Sequence, residues 1–361
     1  MSFFRVDLDK LAANFLSVKS KVGNAEVYCV VKSDGYGCGL AAVSGVLERT
    51  GSDGYVVADF DEGVALRDMG IRKPVVVLGS VSPCLLGEAI ERDLTVSVFN
   101  YDYLARIIEK IPKGKKLKIW LKINSGFNRL GFDALDFAKE KVVGLLSSDK
   151  LDMAGIFSHL RGTGADVSTC QYRLFLHLVD GIRAHGVGLN AKLSLLNSGG
   201  IDCGLPTLDI VRTGAALYGL KGNKRENGEV GKNSVVAEFY ARVLQINTIF
   251  SGESLGYDDS FVPQIDTRVA VLDVGYADGL PRRADKKGLF VILNGKRCPF
   301  VGSVCMNHSF VALPQGVYSV GDAEIFGKNL PVTLLANRLE TIDYEVLCRF
   351  GKTAERIYLY V

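Results

Sequence analysis

One lysine in the sequence stands in an unusual setting. Lys32 ends an apolar run over residues 26–31 and precedes a glycine-rich stretch over residues 33–39. Burial disfavours the charged form of an amine and makes it a better nucleophile toward an aldehyde. Glycines let the backbone approach a bound molecule closely, and Tyr36 offers a hydroxyl at the same place. The alternative is a solvated lysine just beyond a strand, so the functional interpretation depends on other segments that converge on Lys32.

Further polar side chains follow other apolar runs, where strands are expected to end. They are Lys122 and Asn124, Arg129 in the loop after them, His159, Asn197 with Ser198, and Arg212. In a barrel of strands and helices the active site lies at the carboxyl ends of the strands, so this set is expected to surround Lys32. Taken alone, each residue has an ordinary explanation, such as a capping residue, a rim ion pair or a lysine that reaches solvent.

Eight short apolar runs alternate with amphipathic stretches in the first two-thirds of the chain. The runs cover residues 26–31, 54–58, 74–78, 95–99, 117–123, 153–158, 192–196 and 208–211, and helices are predicted over 8–22, 102–110, 134–147 and 166–185. Short apolar strands separated by helices indicate parallel strands buried on both faces. We therefore predict an α/β fold, a (β/α)8 TIM-type barrel, with a doubly wound open sheet as the alternative.

The pattern changes near Gly219, and residues 222–233 are polar, as in a linker. Beyond them strands are predicted over 234–249, 268–274, 289–293, 297–300, 309–313 and 323–326, then a helix over 334–340 and a closing strand over 356–361. We predict a barrel domain over 8–222 and a smaller, mainly β domain over 234–361, which the N-terminal strand, 1–7, would join.

Length, charge and cysteines limit the possible classes of protein. A chain of 361 residues with 48% hydrophobic residues is expected to form two domains. The net charge of +3 is small, which argues against a nucleic-acid partner. No apolar run would span a bilayer, and the N-terminus does not resemble a signal peptide. The eight cysteines include no CxxC pair, which indicates reduced thiols and a cytoplasmic location. Cys298, Cys305 and His308 match no zinc spacing, so we predict no metal site.

The strand-end residues suggest a ligand that is both an anion and a carbonyl compound. The Ser198 hydroxyl and the backbone amides of Gly214 and Ala215 could hold a phosphate. Lys32 could form a Schiff base, and Arg212 could face a ring nitrogen. Pyridoxal 5'-phosphate has all of these parts, including a pyridine nitrogen that needs a protein partner.

Nine motifs extend from near the start of the chain to near its end. They are VVKSDGYG (30–37), LKINSGFNRLG (121–131), FSH (157–159), NSG (197–199), VRTGAALYG (211–219), LGY (255–257), VGYADG (274–279), VGSVCM (301–306) and YEV (344–346). Each motif is weak alone, but together and in this order they resemble the alanine racemase family. Members of that family are pyridoxal-phosphate enzymes with a barrel domain followed by a β domain.

The resemblance implies a role for each matching residue. Lys32 resembles the lysine that holds the cofactor and acts as one catalytic base. Tyr257 matches the opposite base, a tyrosine that reaches in from the second subunit of a dimer. Arg129 resembles the arginine near the cofactor's phenolic oxygen and the substrate carboxylate. Lys122 matches a lysine that the family often carries as a carbamate and that positions this arginine.

The other matches concern the cofactor and the substrate. The phosphate-binding positions are Tyr36, Ser198, Gly214, Ala215 and Tyr344, and the residues beside the cofactor ring are His159 and Arg212. Met306 lies where a backbone amide meets the substrate carboxylate, and Tyr276 lines the entrance. The resemblance thus implies a homodimer with shared active sites that makes D-alanine for peptidoglycan precursors in the cytoplasm.

Racemisation agrees with two bases on opposite faces of the α-carbon. The expected reaction interconverts L- and D-alanine by two-base proton transfer on a pyridoxal-phosphate aldimine, with Lys32 and Tyr257 as the bases. Because a free tyrosine has a pKa of about 10, Tyr257 would have to be tuned to work near neutrality. Arg212 would not readily protonate the pyridine nitrogen, and we expect this to limit side reactions such as transamination.

The chain departs from the usual family pattern at several positions. Asn307 follows Met306 where aspartate is common, SDG (33–35) replaces ANA, Cys38 replaces a histidine, Phe127 a methionine and Thr213 a proline. Asn307 removes a negative charge beside the substrate carboxylate, so a broader-specificity racemase for serine and alanine is an alternative. A non-catalytic pyridoxal-phosphate-binding protein is a second alternative. A decarboxylase on the same two-domain plan is a third, but the segment that such enzymes use for their substrates is not found.

Overall fold

The computed structural model describes residues 2–162, 164–220, 234–317 and 321–360. Contacts between Cα atoms divide the chain into two compact units. The barrel unit consists of Ala12–Gly35 and Val43–Gly219, and the β unit consists of Met1–Leu11, Tyr36–Ala42 and Leu220–Val361. Segment Tyr36–Ala42 thus lies in the β unit, although the domain limits from the sequence placed it in the barrel. The linker predicted over 222–233 lies outside the described residues.

Strands and helices alternate through the first 219 residues. The strands there are β1 (Phe3–Asp7), β2 (Glu26–Val30), β3 (Gly54–Val57), β4 (Val75–Val77), β5 (Leu94–Val98), β6 (Leu117–Lys122), β7 (Leu151–Phe157), β8 (Lys192–Ser194) and β9 (Ile210–Thr213). The helices are α1 (Leu8–Lys21), α2 (Lys32–Tyr36), α3 (Leu40–Thr50), α4 (Phe60–Asp68), α5 (Leu86–Glu91), α6 (Tyr101–Lys110), α7 (Ala134–Phe137), α8 (Glu140–Leu146) and α9 (Ala165–Ala184).

The remaining described elements are mainly strands. They are β10 (Ala237–Ala241), β11 (Val243–Ile249), β12 (Thr267–Leu272), β13 (Phe290–Leu293), β14 (Lys296–Pro299), β15 (Ser309–Ala312), β16 (Ala323–Phe326), α10 (Val332–Arg338), α11 (Asp343–Phe350) and β17 (Glu355–Leu359). Short 3-10 turns cover Pro83–Leu85 and Tyr276–Asp278.

The barrel unit contains one parallel sheet with the strand order β8-β7-β6-β5-β4-β3-β2-β9. Its open seam between β8 and β9 is bridged by two hydrogen bonds. The Arg212 N–H donates to the Leu196 carbonyl at 3.1 Å, and the Ser194 hydroxyl donates to the Ile210 carbonyl at 2.8 Å. All eight predicted strands are present, and the predicted TIM-type barrel is confirmed.

Large and small side chains alternate inside the barrel. Tyr28 pairs with Gly54 on the next strand, and Trp120 pairs with Gly155. A Cβ atom on Gly54 would lie 2.7 Å from the Tyr28 ring, and one on Gly155 would lie 2.6 Å from Trp120 Nε1. The two large rings stack with centroids 5.5 Å apart. These two glycines therefore provide the space that the rings fill, which is how a closed barrel reaches dense packing.

The β unit contains two sheets, which confirms a second, mainly β domain. The larger has the order β14-β13-β16-β10-β1-β17, and the smaller has the order β11-β12-β15. The N-terminal strand β1 pairs antiparallel with β10 and parallel with β17, so it belongs to this unit. The larger sheet packs on a cluster of buried phenylalanines, Phe4, Phe239, Phe326 and Phe350.

Three predicted elements differ from those in the structure. The helix predicted over 134–147 is two helices, because an Asp133 capping box starts α7 and the chain extends again at Lys139. The strand predicted over 234–249 breaks at Arg242, whose N–H donates to Asp273 Oδ1 at 2.7 Å, and its halves join different sheets. The helix predicted over 334–340 corresponds to α10, and α11 was missed.

None of the described helices combines the length and the apolar character that a membrane crossing requires.

Candidate active site

After β2 the chain makes one left-handed helical turn, α2, which begins at Lys32. The φ and ψ angles are 55° and 50° at Ser33, 54° and 50° at Asp34, and 62° and 42° at Gly35. The Gly35 N–H closes the turn on the Val31 carbonyl at 2.8 Å. A left-handed conformation costs roughly 1–2 kcal/mol for each residue that has a Cβ. Such strain is concentrated at functional sites, and here it fixes the backbone that carries Lys32.

Glu62 holds this turn in place. Its Oε1 accepts the Asp34 N–H at 3.0 Å, and its Oε2 accepts the Ala58 N–H at 2.9 Å. Glu62 lies in the first turn of α4, where the positive end of the helix dipole favours a carboxylate. One carboxylate therefore joins the ends of β2 and β3.

Lys122, the last residue of β6, is a buried cation. Only 8% of the residue is exposed, and Nζ lies 4.4 Å from the centre of the Phe157 ring. Burial, followed by the charges of Arg212 and Arg129, lowers the pKa of Lys122 to about 7. Near neutrality much of this amine is therefore uncharged, which is the form that reacts with electrophiles.

His159 follows β7 and is surrounded by cations. Burial comes first, then the charges of Arg212, Lys122, Arg129 and Lys32, and together they lower the pKa of His159 to about 3. The imidazole is therefore neutral throughout the physiological range. The same effects show that five predicted site residues lie within electrostatic reach of one another in the barrel unit.

Asn197 stabilises the turn after β8. Its Oδ1 accepts the Gly200 N–H at 3.0 Å, which is the capping role considered from the sequence. Its Nδ2 lies 3.4 Å from His159 Nε2. Because a neutral imidazole can accept at one ring nitrogen, this contact is compatible with the uncharged His159.

Arg212 on β9 is 4% exposed, and its guanidinium is held by the barrel backbone. Nη1 donates to the Ser194 carbonyl at 3.0 Å and to its Oγ at 2.5 Å, and Nη2 donates to the Ser158 carbonyl at 2.5 Å and, at 3.4 Å, to the Leu195 carbonyl. Within the described part of the chain, all hydrogen bonds of this side chain use Nη1 and Nη2, so Nε–H remains for another acceptor. Burial lowers the pKa of Arg212 to about 10, and the group stays charged at neutrality.

Ser198 and the turn after β9 form a cluster of hydrogen-bond donors. The N–H groups of Gly214 and Ala216 both donate to Ser198 Oγ, at 2.9 and 3.3 Å. The Thr213 hydroxyl lies 3.3 Å from the same oxygen. Backbone N–H groups that point at one oxygen are the usual means of binding a phosphate.

In the β unit, Tyr36 and Tyr344 lie edge to face with ring centroids 6.2 Å apart. Burial raises the pKa of both hydroxyls. The charges of Cys348 and Tyr344 add to the effect at Tyr36, and that of Asp343 adds to it at Tyr344. Both hydroxyls therefore remain protonated and are able to donate hydrogen bonds to an anion.

Tyr257 lies on a loop of the β unit with 61% of its surface exposed. The Ser260 hydroxyl donates to the Tyr257 carbonyl at 2.9 Å, and the Ser303 N–H donates to Ser260 Oγ at 2.8 Å. Ser260 thus connects the Tyr257 loop to the loop that carries Met306.

Tyr276 and Met306 are joined through the backbone of the β unit. The Tyr276 N–H donates to the Cys305 carbonyl at 3.0 Å, and the Ala277 N–H donates to the Met306 carbonyl at 3.0 Å. A Cβ atom on Gly275 would lie 2.1 Å from the Met306 carbonyl oxygen, so only glycine permits this approach. Tyr257, Tyr276 and Met306 therefore lie on connected loops of one unit.

The two units hold different parts of the predicted site. The barrel unit contains Lys32, Lys122, Arg129, His159, Ser198, Arg212, Gly214 and Ala215, and the β unit contains Tyr36, Tyr257, Tyr276, Met306 and Tyr344. Sequence reasoning missed Glu62, Phe157, Ser158 and Ser194, which hold these groups in place. Serines inside apolar runs, at 158 and 194, were the available signal.

No group of three or more His, Cys, Asp or Glu that could hold a metal ion is found among the residues that the structure describes. Cys298 is buried in β14, whereas Cys305 lies in a loop and is partly exposed.

Two family models together match almost the whole chain. The model for the N-terminal domain of alanine racemase matches residues 6–222, and the model for its C-terminal domain matches residues 236–358. The chain belongs to the alanine racemase family. This confirms the resemblance found in the sequence, and the matches cover both units of this alanine racemase family member.

Individual relatives agree with this assignment. An alanine racemase 2 from Caldanaerobacter subterraneus subsp. tengcongensis is 32% identical over 98% of the chain and 94% of the relative. An alanine racemase from Staphylococcus carnosus is 31% identical over 99% and 94%.

Solved structures of the family also match. An alanine racemase from Bacillus anthracis with bound L-Ala-P has a TM-score of 0.92 and 25% identity, over 99% of this chain and 95% of that one. The alanine racemase from Corynebacterium glutamicum has a TM-score of 0.86 and 29% identity, over 99% of each chain.

Proposed function

We propose that this protein interconverts L- and D-alanine with pyridoxal 5'-phosphate as its cofactor. The observation that carries the proposal is the group of basic side chains at the carboxyl ends of the barrel strands. Lys32, Lys122, Arg129 and Arg212 all act electrostatically on the neutral His159. Such a concentration of positive charge suits a cofactor and a substrate that are both anionic.

The residues present fit this cofactor at its phosphate end. The N–H groups of Gly214 and Ala216 already point at one oxygen, that of Ser198, and the Ala215 amide belongs to the same turn. The protonated hydroxyls of Tyr36 and Tyr344 would add donors to the phosphate.

The residues also fit the pyridine end. The fixed guanidinium of Arg212 has its Nε–H in reserve for a ring nitrogen, and His159 would lie beside the ring. Because Arg212 keeps its proton at neutrality, the ring nitrogen would accept a hydrogen bond without becoming fully protonated. We expect this to keep the protein from transamination.

When bound, the cofactor would withdraw electrons from the α-carbon of the amino acid and so acidify its proton. Lys32 would hold the cofactor and move a proton on one face of that carbon. Tyr257 would move a proton on the other face. Arg129 and the Met306 amide would bind the substrate carboxylate, and Tyr276 would line the entrance.

Lys122 would position Arg129. Its amine is substantially uncharged near neutrality, and an uncharged amine adds to carbon dioxide, with loss of a proton, to form a carbamate. The carbamate would bring a negative charge to Arg129 and Arg212. We therefore propose that Lys122 is carbamylated in the working enzyme.

We further propose a homodimer in which Tyr257 completes the active site of the partner subunit. An aromatic side chain that is 61% exposed on a tethered loop suits such a role. The domain limits that we propose are 8–222 and 234–361 with 1–7. We place the protein in the cytoplasm, because all eight cysteines are free thiols.

The first test is an assay of the purified, cofactor-loaded protein with L-alanine, D-alanine and L-serine. We expect alanine to be converted in both directions, and the rate with serine measures the effect of Asn307. Tyr257→Phe should retain the cofactor, seen by its absorbance, but should no longer exchange the α-proton of L-alanine for solvent deuterium. Full racemase activity in Tyr257→Phe would exclude this mechanism. Absence of D/L interconversion by the wild type would support a non-catalytic binding protein instead.

The second test asks whether the site is shared between subunits. Lys32→Ala and Tyr257→Phe are each expected to be inactive. In a mixed dimer one site combines the intact Lys32 of one chain with the intact Tyr257 of the other. Random mixing should then restore roughly a quarter of the wild-type activity. If mixed dimers form without regaining activity, Tyr257 does not act across the dimer.

A further inference from the structure

The loop after β6 is a closed excursion of the chain that ends in a short bridge. The Asn124 N–H donates to the Phe132 carbonyl at 2.8 Å, and the Phe132 N–H donates to the Lys122 carbonyl at 2.9 Å. A Cβ atom on Gly131 would lie 2.7 Å from the Asn124 nitrogen, so the two sides of the loop touch at its base. The loop begins and ends at fixed points.

Asn124 also fixes the interior of this loop. Its Oδ1 accepts the N–H groups of Gly126 and Asn128, at 3.2 and 3.0 Å, and its Nδ2 donates to Asn128 Oδ1 at 3.1 Å. Asn128 has a φ of 61°, in the left-handed region that asparagine tolerates better than most residues. The backbone on both sides of Phe127 is therefore held.

The Phe127 ring lies between two groups of the proposed site. The guanidinium carbon of Arg129 lies 4.5 Å from the centre of the ring. The His159 imidazole meets the ring edge to face, with centroids 5.0 Å apart. Among the described residues, Arg129 forms no ion pair and no side-chain hydrogen bond, so this ring is its main anchor.

We propose that Phe127 is a positioning residue that holds Arg129 against its ring face and fixes His159 against its edge. The inference rests on the proposed function, in which Arg129 binds the substrate carboxylate. An aromatic face attracts a guanidinium through its quadrupole, whereas a carboxylate in this place would pair with Arg129 and compete with the substrate. The ring thus orders the cation and leaves its charge available.

Phe127→Met is the most informative variant, because methionine keeps an apolar side chain but has no aromatic face. Loss of an exposed cation–π contact should raise KM for L-alanine by about 2- to 5-fold. We expect kcat to change less, and Phe127→Tyr to restore KM. In an Arg129→Gln background, Phe127→Met should have no further effect on KM, because the ring acts through that arginine.

A second measurement does not depend on catalysis. Phenylglyoxal modifies accessible guanidinium groups, and peptide mass spectrometry measures its rate at Arg129. With the cofactor-free protein, Phe127→Met should raise this rate by about 2- to 5-fold, since the arginine is released from the ring.

Phe290→Met is the matched control. Phe290 in β13 is also half-buried under a guanidinium, that of Arg297, whose carbon lies 4.8 Å from the ring centre. This variant should leave KM for alanine and the modification rate of Arg129 unchanged.

Three outcomes distinguish the possibilities. An equal rise of KM in the Arg129→Gln background, or an unchanged modification rate in Phe127→Met, would overturn the positioning role. A wild type that does not racemise alanine, with a modification rate that still responds to Phe127→Met, would overturn the proposed function and leave the contact established.

Discussion

The Nζ atom of Lys122 lies 4.4 Å from the centre of the Phe157 ring, with the two residues paired at the ends of neighbouring strands. The guanidinium carbon of Arg212 lies 5.2 Å from the same ring. Two buried cations therefore share one aromatic ring. Their mutual repulsion and their burial are the reason that Lys122 gives up its proton near neutrality.

The first prediction concerns stability and pH. The pKa of Lys122 is about 7 in the folded protein and 10.5 ordinarily. The unfolded chain therefore binds more protons between these values, and its stability relative to Lys122→Met should rise as pH rises from about 7 to 10.5. Below about pH 7 the difference should be constant, with Lys122→Met the more stable. Urea denaturation in CO2-free buffers, followed by fluorescence of the single tryptophan, Trp120, measures this.

Lys118→Met is the control for this experiment. Lys118 lies on the same strand, but it is exposed and pairs with Asp93 at 2.6 Å. Its replacement removes one charge without altering the buried cluster. A difference between Lys122→Met and wild type that does not change with pH would contradict the prediction.

The second prediction concerns the protonation of His159. Its pKa is lowered to about 3 from 6.5, so the imidazole should stay neutral from pH 5 to 8 in nitrogen-detected NMR spectra. Because the unfolded chain binds the proton first, this residue should cost stability as pH falls from about 6.5 to 3. Lys122→Met removes one of the surrounding charges and should raise the pKa of His159, whereas Lys118→Met should not. A midpoint for His159 near 6.5 in the wild type would refute the cationic surroundings described above.

The third prediction uses the left-handed turn after β2. Ser33 is exposed with a φ of 55°, so Ser33→Gly relieves roughly 1–2 kcal/mol of strain and adds roughly 0.5–1 kcal/mol of unfolded-state entropy. The net gain in the free energy of unfolding should be about 0.5–1 kcal/mol, measured by denaturation. The same change in a right-handed helix, Ser17→Gly in α1, should instead lose about 0.5 kcal/mol. Equal signs for the two variants would show that the turn is not left-handed in solution.

The division of labour between sequence and tertiary structure is visible in particular residues. The eight apolar runs predicted the eight barrel strands, because strands buried on both faces must be apolar along their length. The polar residues after these runs predicted the site, because parallel strands end on one edge of a barrel. The order of the motifs was sufficient to identify the family.

Other features depend on contacts between distant parts of the chain. Pattern reasoning joined β10 to β11 and missed α11, because the corner at Arg242 is fixed by Asp273 and the short stretch of α11 becomes a helix by burying Val346, Leu347 and Phe350. No local pattern indicates that Glu62 holds the turn after Lys32, or that Phe157 and Phe127 accept cations on their faces. The pKa of Lys122 was also beyond the sequence, since it results from burial beside two arginines brought from other parts of the barrel.

The sequence by itself thus determined which residues carry the chemistry, because residue type and position at a strand end are local properties. Only the tertiary structure decided their protonation and their orientation. Those depend on distances of a few ångströms between segments that lie far apart in the chain, as between Lys122 and Phe157.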